Sequence, residues 1–507
     1  MVLGNFNDKL HPQNTSPMIN RLYHTSLALL TDLYQLTMAY GYWKSGTAEK
    51  EAVFNLYYRK NPFQGGYAVA CGLESVISFL REFQFDDTDI EYLATLEGND
   101  GSPLFEKAFL EYLVKLRFSC DIDAIPEGTV VFPNEPLVRV KGPILQCQLI
   151  ETPLLTLINF QTLIATKAAR LREIAGTDQL LEFGLRRAQG IDGGVTASRA
   201  AYLGGCDATS NVLAGKIHKI PVRGTHAHSW VMSFASETEA FETYSEALPN
   251  NCVFLVDTYN TINGVKNAII VGKKLVAKGY KMAGIRLDSG DLAYFSIEAR
   301  KLLDEAGFQD AAIVASNDLD ENIIASLKDQ HAQINVWGVG TKLVTGNDQP
   351  ALGGVYKLAA IRNDANEWEY KVKLSEQTIK VSTPGIQQVR RYKNEKGFVA
   401  DMIYNEESFE GNEATMIDPM DFTKRRQFDE NIPYEDLLTS IFREGRLVYD
   451  IPDIQEVKKK VISQLGHFHG GVRRFVNPHT YPVGLEKSLH DFKTNLIITL
   501  RDKANIR

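Results

Sequence analysis

Two histidines, His226 and His228, stand two positions apart in the stretch "VRGTHAHSW", in a chain that has ten histidines. On a strand this spacing places both rings on one face, as in metal-dependent hydrolases, but such a site needs further histidines at later strand ends. The later strand ends supply Asp257 and Asp288 but no histidine, so a structural pair is a stronger alternative. The hypothesis we favour is a histidine acting as nucleophile or general base, oriented by Asp257 or Glu182.

Polar residues recur where short apolar or β-branched runs end between residues 178 and 360. In a parallel α/β fold the carboxyl ends of the strands meet at one edge, so these residues are expected to form a single site. They are Arg186, Ser210, Asn211, Thr225, His228, Asp257, Arg286, Asp288, Asp291, Ser316 and Asn317, followed by Gly338, Gly340 and Thr341 of "GVGT".

Two of these segments have the composition of an anion-binding site. In "GVGT" the glycines allow the backbone to approach a phosphate closely, although a glycine-rich turn is more often an ordinary loop. In "RLDSGD", Arg286 could clamp an anionic group, while Asp288 and Asp291 could hold ribose hydroxyls or Mg²⁺. The alternative is that Ser289 or Asp288 caps the following helix and that Arg286 is a surface partner.

The elements that must position these residues form an α/β pattern. From about residue 178 to 360, β-favouring and amphipathic runs alternate at intervals of about 30 residues, which predicts βαβ units and a parallel sheet. About seven such units without a Rossmann fingerprint favour an irregular (β/α)8-like barrel. We predict an N-terminal arm (1–28), an α/β N-terminal domain (29–155), the barrel catalytic domain (156–395) and a smaller C-terminal domain (396–507).

Composition excludes several classes of protein. The 507 residues are 44% hydrophobic and 23% charged with a net charge of −8, which is typical of a soluble multidomain protein and disfavours generic nucleic-acid or membrane-surface binding. The chain has five cysteines without CxxC spacing, and its first 20 residues lack the apolar core of a secretory signal. We therefore expect a cytoplasmic protein with reduced cysteines.

Seven motifs occur in a fixed order from about Leu29 to the C-terminal tail: "LLTDLYQLTMAYGYW", "RKNPFQGGYAVACGLE", "GTHAHSWV", "RLDSGDL", "GVGT", "LGGVYKL" and "NPHTYPVGL". Together they resemble the nicotinate phosphoribosyltransferases, a family of type II phosphoribosyltransferases. The resemblance implies the same fold: an irregular α/β barrel with an α/β N-terminal domain and a C-terminal extension.

The resemblance also implies a reaction, its cofactors and an assembly. Nicotinate and 5-phosphoribosyl-1-pyrophosphate (PRPP) would give nicotinate mononucleotide and pyrophosphate in NAD salvage, with Mg²⁺ present and ATP hydrolysis coupled through a phosphohistidine. The phosphorylated residue would be His228. Tyr34 would reach the pyridine ring in the neighbouring subunit's site, so the protein would be a homodimer with shared active sites.

Further residue roles follow from the resemblance. Arg286 would clamp the nicotinate carboxylate with Arg186 behind it, and Thr225 would line the same site. Ser210 stands where nicotinamide-using relatives carry an aspartate, and an aspartate there would repel nicotinate, so serine favours the acid. The remaining assignments are Asp288 to the ribose, Asp257, Ser316, Asn317, Gly338, Gly340, Thr341 and Thr345 to the phosphoribosyl and phosphate groups, and Asp288 with Asp291 to Mg²⁺.

Three other functions are alternatives. A barrel metallohydrolase would use His226 and His228 and would contain a transition metal. A non-catalytic relative would serve as a binding subunit, but the joint presence of His228, Arg286, Asp288 and "GVGT" speaks against it. A family member could accept nicotinamide or quinolinate instead, although quinolinate is a dianion that should need more basic residues at the pyridine site.

The tail segment "HFHGGVRRFVNPHTYPVGL" contains further candidate residues. A phosphate lid and inter-domain packing are both compatible with its composition, and packing is favoured because no metal-ligand spacing recurs. The residues in question are His467, His469, His479, Arg473 and Arg474.

Overall fold

The computed structural model describes residues 25–377, 380–411 and 414–505 of the chain. Most of the predicted arm, residues 1–28, lies outside the described residues. Within the described ranges, none of the helices combines the length and apolar character needed to span a bilayer. The described residues contain both helices and strands, so the mixed α/β class is confirmed.

The first part of the chain combines a buried strand with apolar helices. Strand β1 (Glu51–Tyr58) is buried along almost all of its length, as expected of a central strand. Pro153 lies in the first turn of helix α6 (Glu151–Ala175), where its missing N–H removes no hydrogen bond. The other elements are α1 (Leu33–Lys44), β2 (Ala68–Val69), α2 (Leu73–Arg81), α3 (Asp87–Leu93), α4 (Lys107–Lys115), β3 (Asp121–Ala124), β4 (Val130–Val131), β5 (Val138–Pro143) and α5 (Ile144–Leu149).

The middle part alternates strands and helices, as the sequence pattern predicts. Gly307, at φ +90°, follows helix α12 and ends it in the left-handed conformation that glycine adopts readily. The elements are β6 (Gln179–Glu182), α7 (Gly190–Gly204), β7 (Ala208–Thr209), α8 (Val212–His218), α9 (His228–Met232), α10 (Glu237–Ala247), β8 (Val253–Leu255), α11 (Thr261–Ala277), β9 (Gly284–Leu287), α12 (Leu292–Glu305), β10 (Ala312–Ala315), α13 (Glu321–Asp329), β11 (Val336–Val339) and α14 (Thr341–Val344).

The last part is mainly antiparallel strands followed by helices. Its elements are β12 (Gly354–Arg362), β13 (Trp368–Tyr370), β14 (Gln387–Asn394), β15 (Gly397–Asn405), β16 (Ala414–Ile417), β17 (Arg425–Phe428), β18 (Tyr434–Asp436), β19 (Thr439–Arg443), β20 (Arg446–Leu447), α15 (Ile454–His467), α16 (Gly470–Arg473), β21 (Val483–Glu486) and α17 (Lys487–Asn505).

The parallel sheet has the strand order β7-β6-β11-β10-β9-β8. It is open among the described residues, with β7 and β8 at its edges, so a closed eight-stranded barrel is not confirmed. The predicted strand in "IPVRGTH" contributes only an isolated bridge between Thr209 and Val222. Pro221 has no N–H to donate to a ladder, and the bonds to Thr209 come from the Pro221 carbonyl and the Arg223 N–H.

Two other large sheets accompany the parallel one: the first is antiparallel, and the second is mixed because β15 and β21 pair in parallel. The first has the order β13-β12-β1-β5-β3-β19-β20, and the second has the order β17-β16-β21-β15-β14-β18. The first sheet therefore combines three N-terminal strands with four strands, β12, β13, β19 and β20, that follow the parallel sheet in the chain. The predicted domain boundaries at residues 29, 156 and 396 stay predictions. This sheet takes strands from all three of the ranges that begin at these residues.

Candidate active site

Two adjoining cavities open at the carboxyl ends of the parallel strands. Their volumes are about 360 Å³ and about 120 Å³, and the side chains that line both are Phe183, Arg186, Arg286 and Asp288. Of the other residues predicted at strand ends, the larger cavity contains Ser210, Thr225 and His228, and the smaller contains Ser316, Asn317, Gly338, Gly340 and Thr341. Most of the predicted strand-end residues therefore lie around these two adjoining cavities, whereas Asn211, Asp257 and Asp291 line neither.

Arg286, in β9, is held rigidly at the wall that the two cavities share. Its Nε donates to Ser316 Oγ (2.8 Å) and its Nη1 to Thr225 Oγ1 (2.9 Å). Its Nη2 donates to Asp288 Oδ1 (2.8 Å), and the guanidinium carbon lies 5.8 Å from the centroid of the Phe183 ring. A guanidinium has five N–H groups, so one remains on each terminal nitrogen to bind an anion.

Asp288 lies beside this guanidinium and is a quarter exposed (25%). Burial alone would raise the pKa of its carboxyl, but the Ser316 hydroxyl and the charges of Arg286 and His228 lower the pKa below its ordinary value. Ser316 donates to the same Oδ1 that Arg286 contacts. Asp288 therefore stays ionised at neutral pH, and its Oδ2 is left to face the cavity.

His228 begins helix α9 and faces two carboxylates. Its Nδ1 lies 3.1 Å from Thr258 Oγ1, and its Nε2 lies 3.6 Å from Asp288 Oδ2 and 3.9 Å from Asp257 Oδ1. Asp257 is buried behind the cavity wall, where its Oδ2 accepts hydrogen bonds from the Asp288 N–H (2.8 Å) and the Ser289 hydroxyl (2.6 Å). Its Oδ1 has no hydrogen-bond partner among the described residues.

His226 points into the protein core instead, because residues 224–227 form no strand. Its Nε2 accepts the Leu255 N–H (3.3 Å), so its Nδ1 carries the proton and donates to the Ala227 carbonyl (3.4 Å). Its ring packs edge-on against Tyr244 at 4.9 Å, and burial lowers its pKa to about 4. Both ring nitrogens are used, so the expected shared face is wrong and His226 cannot join His228 in a metal pair.

The glycines of "GVGT" serve packing as well as the cavity. A Cβ on Gly338 would lie 2.7 Å from the Phe183 ring, and one on Gly340 would lie 3.1 Å from the Phe183 carbonyl oxygen. Both glycines therefore allow β6 and β11 to come together with Phe183 between the cavities. On the opposite wall Asn317 has φ +91°, a left-handed conformation that only the fold around it can hold.

Comparison with known proteins decides the family. Models of the nicotinate phosphoribosyltransferase N-terminal domain, of the family itself and of its C-terminal domain match residues 29–159, 179–388 and 387–493. A nicotinate phosphoribosyltransferase of Bacillus subtilis (strain 168) is 44% identical over 483 residues, which cover 94% of this chain and 96% of the relative. The chain belongs to the nicotinate phosphoribosyltransferase family.

Human relatives agree in sequence and in fold. The human nicotinate phosphoribosyltransferase is 37% identical over 528 residues, covering 92% of this chain and 96% of the relative. The crystal structure of human nicotinic acid phosphoribosyltransferase matches with a TM-score of 0.80 and 34% identity, over 92% of this chain and 99% of that one. The predicted family is confirmed, together with the mixed α/β fold.

Several predicted residues of this family's pattern lie outside the two cavities. Thr345 ends α14, and its hydroxyl donates to the Thr341 carbonyl (2.7 Å). Asp291 caps α12 by accepting the Tyr294 N–H (3.0 Å), whereas the capping alternative expected Ser289 or Asp288 in that role. Tyr34 lies half exposed (50%) on α1 and lines neither cavity of its own chain. Their predicted roles stay predictions.

Phe183 and Arg187 have no role in the prediction from sequence, and the expectation that Glu182 orients a histidine is wrong. Phe183 and Arg187 line the cavities within the same strand-end segment as Arg186. Glu182 is fully buried and accepts hydrogen bonds from the Ser198 (2.8 Å) and Thr209 (2.5 Å) hydroxyls rather than orienting a histidine. The one available signal was the run "EFGLRR", which follows an apolar strand with a carboxyl, an aromatic ring and two cations.

The histidine-containing tail packs against other elements. Arg473 forms an ion pair with Glu173 of α6 (3.0 Å), and the His467 ring lies 5.5 Å from the ring of Phe398. His469 Nδ1 accepts the Gly471 N–H (3.0 Å), which starts α16. These contacts agree with inter-domain packing.

Proposed function

We propose that the chain transfers the phosphoribosyl group of PRPP to nicotinate, forming nicotinate mononucleotide and pyrophosphate in NAD salvage. The observation that carries the proposal is the Arg286 guanidinium, fixed by three acceptors at the wall shared by both cavities. Family membership supports it, since relatives named nicotinate phosphoribosyltransferase match almost the whole chain.

The larger cavity offers groups that complement an aromatic carboxylate. Arg286 keeps one N–H on each terminal nitrogen for the carboxylate, with Arg186 on the same wall. The ring of Phe183 supplies an apolar surface for the pyridine ring. Ser210 lines this cavity and Asp288 is the one carboxyl side chain among its described lining residues, so we infer that the acid is preferred to the amide.

Phosphoribosyl transfer needs negative charge beside the ribose. As the bond from ribose C1 to pyrophosphate breaks, positive charge builds on the ribose, and the nicotinate ring nitrogen forms the new bond to C1. Pyrophosphate leaves with the bonding electron pair. Ionised Asp288 lies where both cavities meet, so it stabilises that charge. The smaller cavity, with Asn317, Gly340 and Thr341, suits the 5′-phosphate.

The residues present fit a Mg²⁺ ion. Asp288 Oδ2 and Asp257 Oδ1 both face His228 Nε2, and the Asp257 oxygen has no hydrogen-bond partner among the described residues. Mg²⁺ prefers one or two carboxylates with substrate phosphates completing its shell. When bound, it supplies positive charge to the pyrophosphate leaving group. Because Asp291 caps a helix, we place Asp257 beside Asp288 in preference to it.

We infer that ATP is a co-substrate beside nicotinate and PRPP, and that His228 accepts its γ-phosphoryl group. When Nδ1 donates its proton to Thr258 Oγ1, Nε2 presents a lone pair to the cavity. Nε2 attacks the γ-phosphorus, the N–P bond forms, the bond to the bridging oxygen breaks, and ADP leaves. The new charge beside Asp288 orders the site and tightens binding of Mg-bound PRPP.

We propose a homodimer in which Tyr34 completes the partner's site. Tyr34 lies on α1 with Leu33 and Met38, and Leu30 lies just before the helix; these three apolar side chains are each more than two-fifths exposed. Such an apolar face on a water-exposed helix favours an interface. A phenol ring from the partner would add the second apolar wall for the pyridine ring.

We also propose a cytoplasmic location. The described cysteines, Cys71, Cys120, Cys147, Cys206 and Cys252, are all free and buried. Free thiols in every position are typical of a reducing compartment.

The test is an assay of purified protein with labelled nicotinate, Mg²⁺ and PRPP, with and without ATP, and with nicotinamide run in parallel. We expect mononucleotide from nicotinate alone, in an amount that ATP increases. In the His228→Asn variant the ATP stimulation should disappear while ATP-independent turnover persists. Turnover of nicotinamide instead, or full ATP stimulation in the variant, would overturn the substrate or the phosphohistidine part of the proposal respectively.

A further inference from the structure

A third cavity, of about 260 Å³, lies between the last helix and the C-terminal sheet. Its lining residues are distant in sequence from the active-site residues. It shares no lining residue with the two active-site cavities. Helix α17 forms one wall, and the opposite wall contains apolar side chains from β15 and β21, namely Ile403, Val483 and Leu485. Tyr57 of β1 and Asn134, which follows β4, also line this cavity.

The helix wall is cationic. His490, Lys493 and Arg501 all line the cavity from α17, and no aspartate or glutamate is among its described lining residues. Lys493 Nζ donates to Thr383 Oγ1 (2.9 Å). Within the described part of the chain no carboxylate lies within ion-pair distance of Lys493 or Arg501, whereas His490 contacts Asp491 (3.1 Å).

An ammonium group without a carboxylate is unusual for a lysine that is largely removed from water. Taking such a charge out of water is unfavourable unless an opposite charge or several hydrogen bonds replace the lost hydration. One hydroxyl is a weak replacement, and burial lowers the pKa of Lys493 to about 8. An anion in the cavity would supply the missing partner, and the apolar wall would hold an apolar group attached to it.

We propose that this cavity binds a small organic anion, a carboxylate or phosphate monoester with an apolar group, whose charged end lies between Lys493 and Arg501. The apolar group contacts Ile403, Val483 and Leu485. The bound anion joins α17 to β1 of the antiparallel sheet and to β15 and β21 of the mixed sheet. The site is independent of the nicotinate reaction, and its test needs no catalytic readout.

The test compares three ligands of similar size on the full chain: hexanoate, hexyl phosphate and the neutral hexanamide. Binding is measured by isothermal titration calorimetry and by the shift of the thermal unfolding midpoint. We expect both anions to bind and to raise the midpoint, with hexanamide at least about tenfold weaker because it lacks the charge. The tighter of the two anions identifies the charged group. Equal binding of hexanamide and hexanoate would overturn the proposal.

Two variants locate the binding. Lys493→Met keeps the side-chain volume and should weaken hexanoate binding about tenfold or more. Arg501→Gln, at an exposed position, should weaken it several-fold without disturbing the fold. Lys503→Met is the matched control, because Lys503 lies roughly 200° around the helix from Arg501 and does not line the cavity. Unchanged hexanoate affinity in both cavity variants would contradict the assignment. Hexanoate that binds at Arg286 in the active site would give this result.

The pH dependence is a second readout. The other titratable side chains that line the cavity are His490 and Arg501, which share α17 with Lys493, and Tyr57, which belongs to β1. Burial lowers the pKa of Lys493 to about 8. Because the neutral amine no longer attracts an anion, hexanoate binding to the wild type should weaken between pH 7 and 9.5. The Lys493→Met variant should show a flat profile over that range. An equal slope in both proteins would show that another group binds the anion.

Discussion

His226 and His228 are separated by one alanine and have opposite environments. His226 is 8% exposed and its ring nitrogens are both used by backbone groups, whereas His228 faces the cavity and two carboxylates. Burial disfavours the imidazolium of His226 and lowers its pKa. At the residue scale, one histidine is part of the core and the other is available for chemistry.

Acid should destabilise the fold through His226. Its pKa is lowered from 6.5 to about 4, so between these pH values the unfolded chain binds the proton that the folded chain excludes. Stability is therefore constant above pH 6.5 from this group, falls as the pH is lowered, and levels off below pH 4. The loss is roughly 3 kcal/mol at pH 4.

Urea unfolding at pH 7.5, 5.5 and 4.5 measures this effect. His226→Gln keeps an acceptor for the Leu255 N–H but cannot be protonated in this range, so it should lose roughly 2–3 kcal/mol less than the wild type between pH 7.5 and 4.5. The exposed His331→Asn serves as control and should follow the wild type. Parallel pH profiles for all three proteins would refute the neutral buried state.

Arg286→Lys tests the guanidinium at the shared wall. A lysine ammonium cannot bind Ser316, Thr225 and Asp288 and still present two parallel N–H groups to a carboxylate. We expect the KM for nicotinate to rise by about tenfold or more, with a smaller fall in kcat. Steady-state kinetics with varied nicotinate measure it.

The matched control for Arg286→Lys is Arg300→Lys. Arg300 lies on α12 outside both cavities and bonds the Ala311 carbonyl (2.8 Å). Its variant should keep the wild-type KM. Equal KM values in Arg286→Lys and wild type would remove Arg286 from nicotinate binding.

At the element scale, the turn after β6 places two of the site's walls. Glu182, the last residue of β6, accepts the Gly184 N–H within this turn and the hydroxyls of Ser198 on α7 and Thr209 on β7. These bonds fix Phe183 and Arg186 on one side and Ser210 on the other. A buried carboxyl without a cationic partner among the described residues is thus used to join three elements.

Glu182→Gln should loosen this turn. The amide offers one acceptor oxygen in place of two, so at least one of the three donors loses its partner. We expect the KM for nicotinate to rise several-fold more than kcat falls, because the binding walls move while Asp288 and His228 stay in place. Glu298→Gln, on the exposed face of α12 beside Lys301, is the control and should leave both constants unchanged. A proportionate loss of kcat alone would contradict a positioning role.

At the scale of the whole molecule, distant segments share one sheet. β12, β13, β19 and β20 complete the sheet of β1, β3 and β5, so the first and last parts of the chain fold as one unit around the parallel sheet. Arg199 on α7 reinforces this unit through a buried ion pair with Glu127 (2.6 Å). This sheet and ion pair support α1, whose apolar side chains Leu33 and Met38 are exposed.

Complementation tests whether the active site is shared between subunits. Tyr34→Ala and His228→Asn are co-expressed with different tags, and heterodimers are isolated by tandem purification. If Tyr34 acts in the partner's site, each heterodimer has one intact site and should recover roughly half of the ATP-stimulated activity.

The control for complementation pairs His228→Asn with Asp288→Ala. Both residues belong to the same chain's cavity, so neither site of that heterodimer is intact and the ATP-stimulated activity should stay low. Equal activity in the two heterodimers would contradict the shared site. Purification of a monomer would do so as well.

Much of the site was predictable because strand ends are local features. Arg286, Thr225, Asp288 and Ser210 follow apolar runs, and the parallel topology brings such positions together whatever the details of packing. The helix cap was a local feature too, but the capping alternative assigned it to Ser289 or Asp288, whereas Asp291 caps α12. By contrast, the expected shared face of His226 and His228 was wrong, because it assumed a strand where Pro221 and the following residues leave the sheet.

The sequence by itself determined the family, the α/β class and most of the residues around the two cavities, because these depend on motifs and on periodicity along the chain. Only the tertiary structure decided which residues face one another across the chain. It decided that Glu182 joins three elements, that Phe183 separates the cavities, and that Lys493 lacks a carboxylate partner among the described residues. The physical reason is that burial, partner and charge environment are set by contacts between segments far apart in sequence, which no local pattern contains.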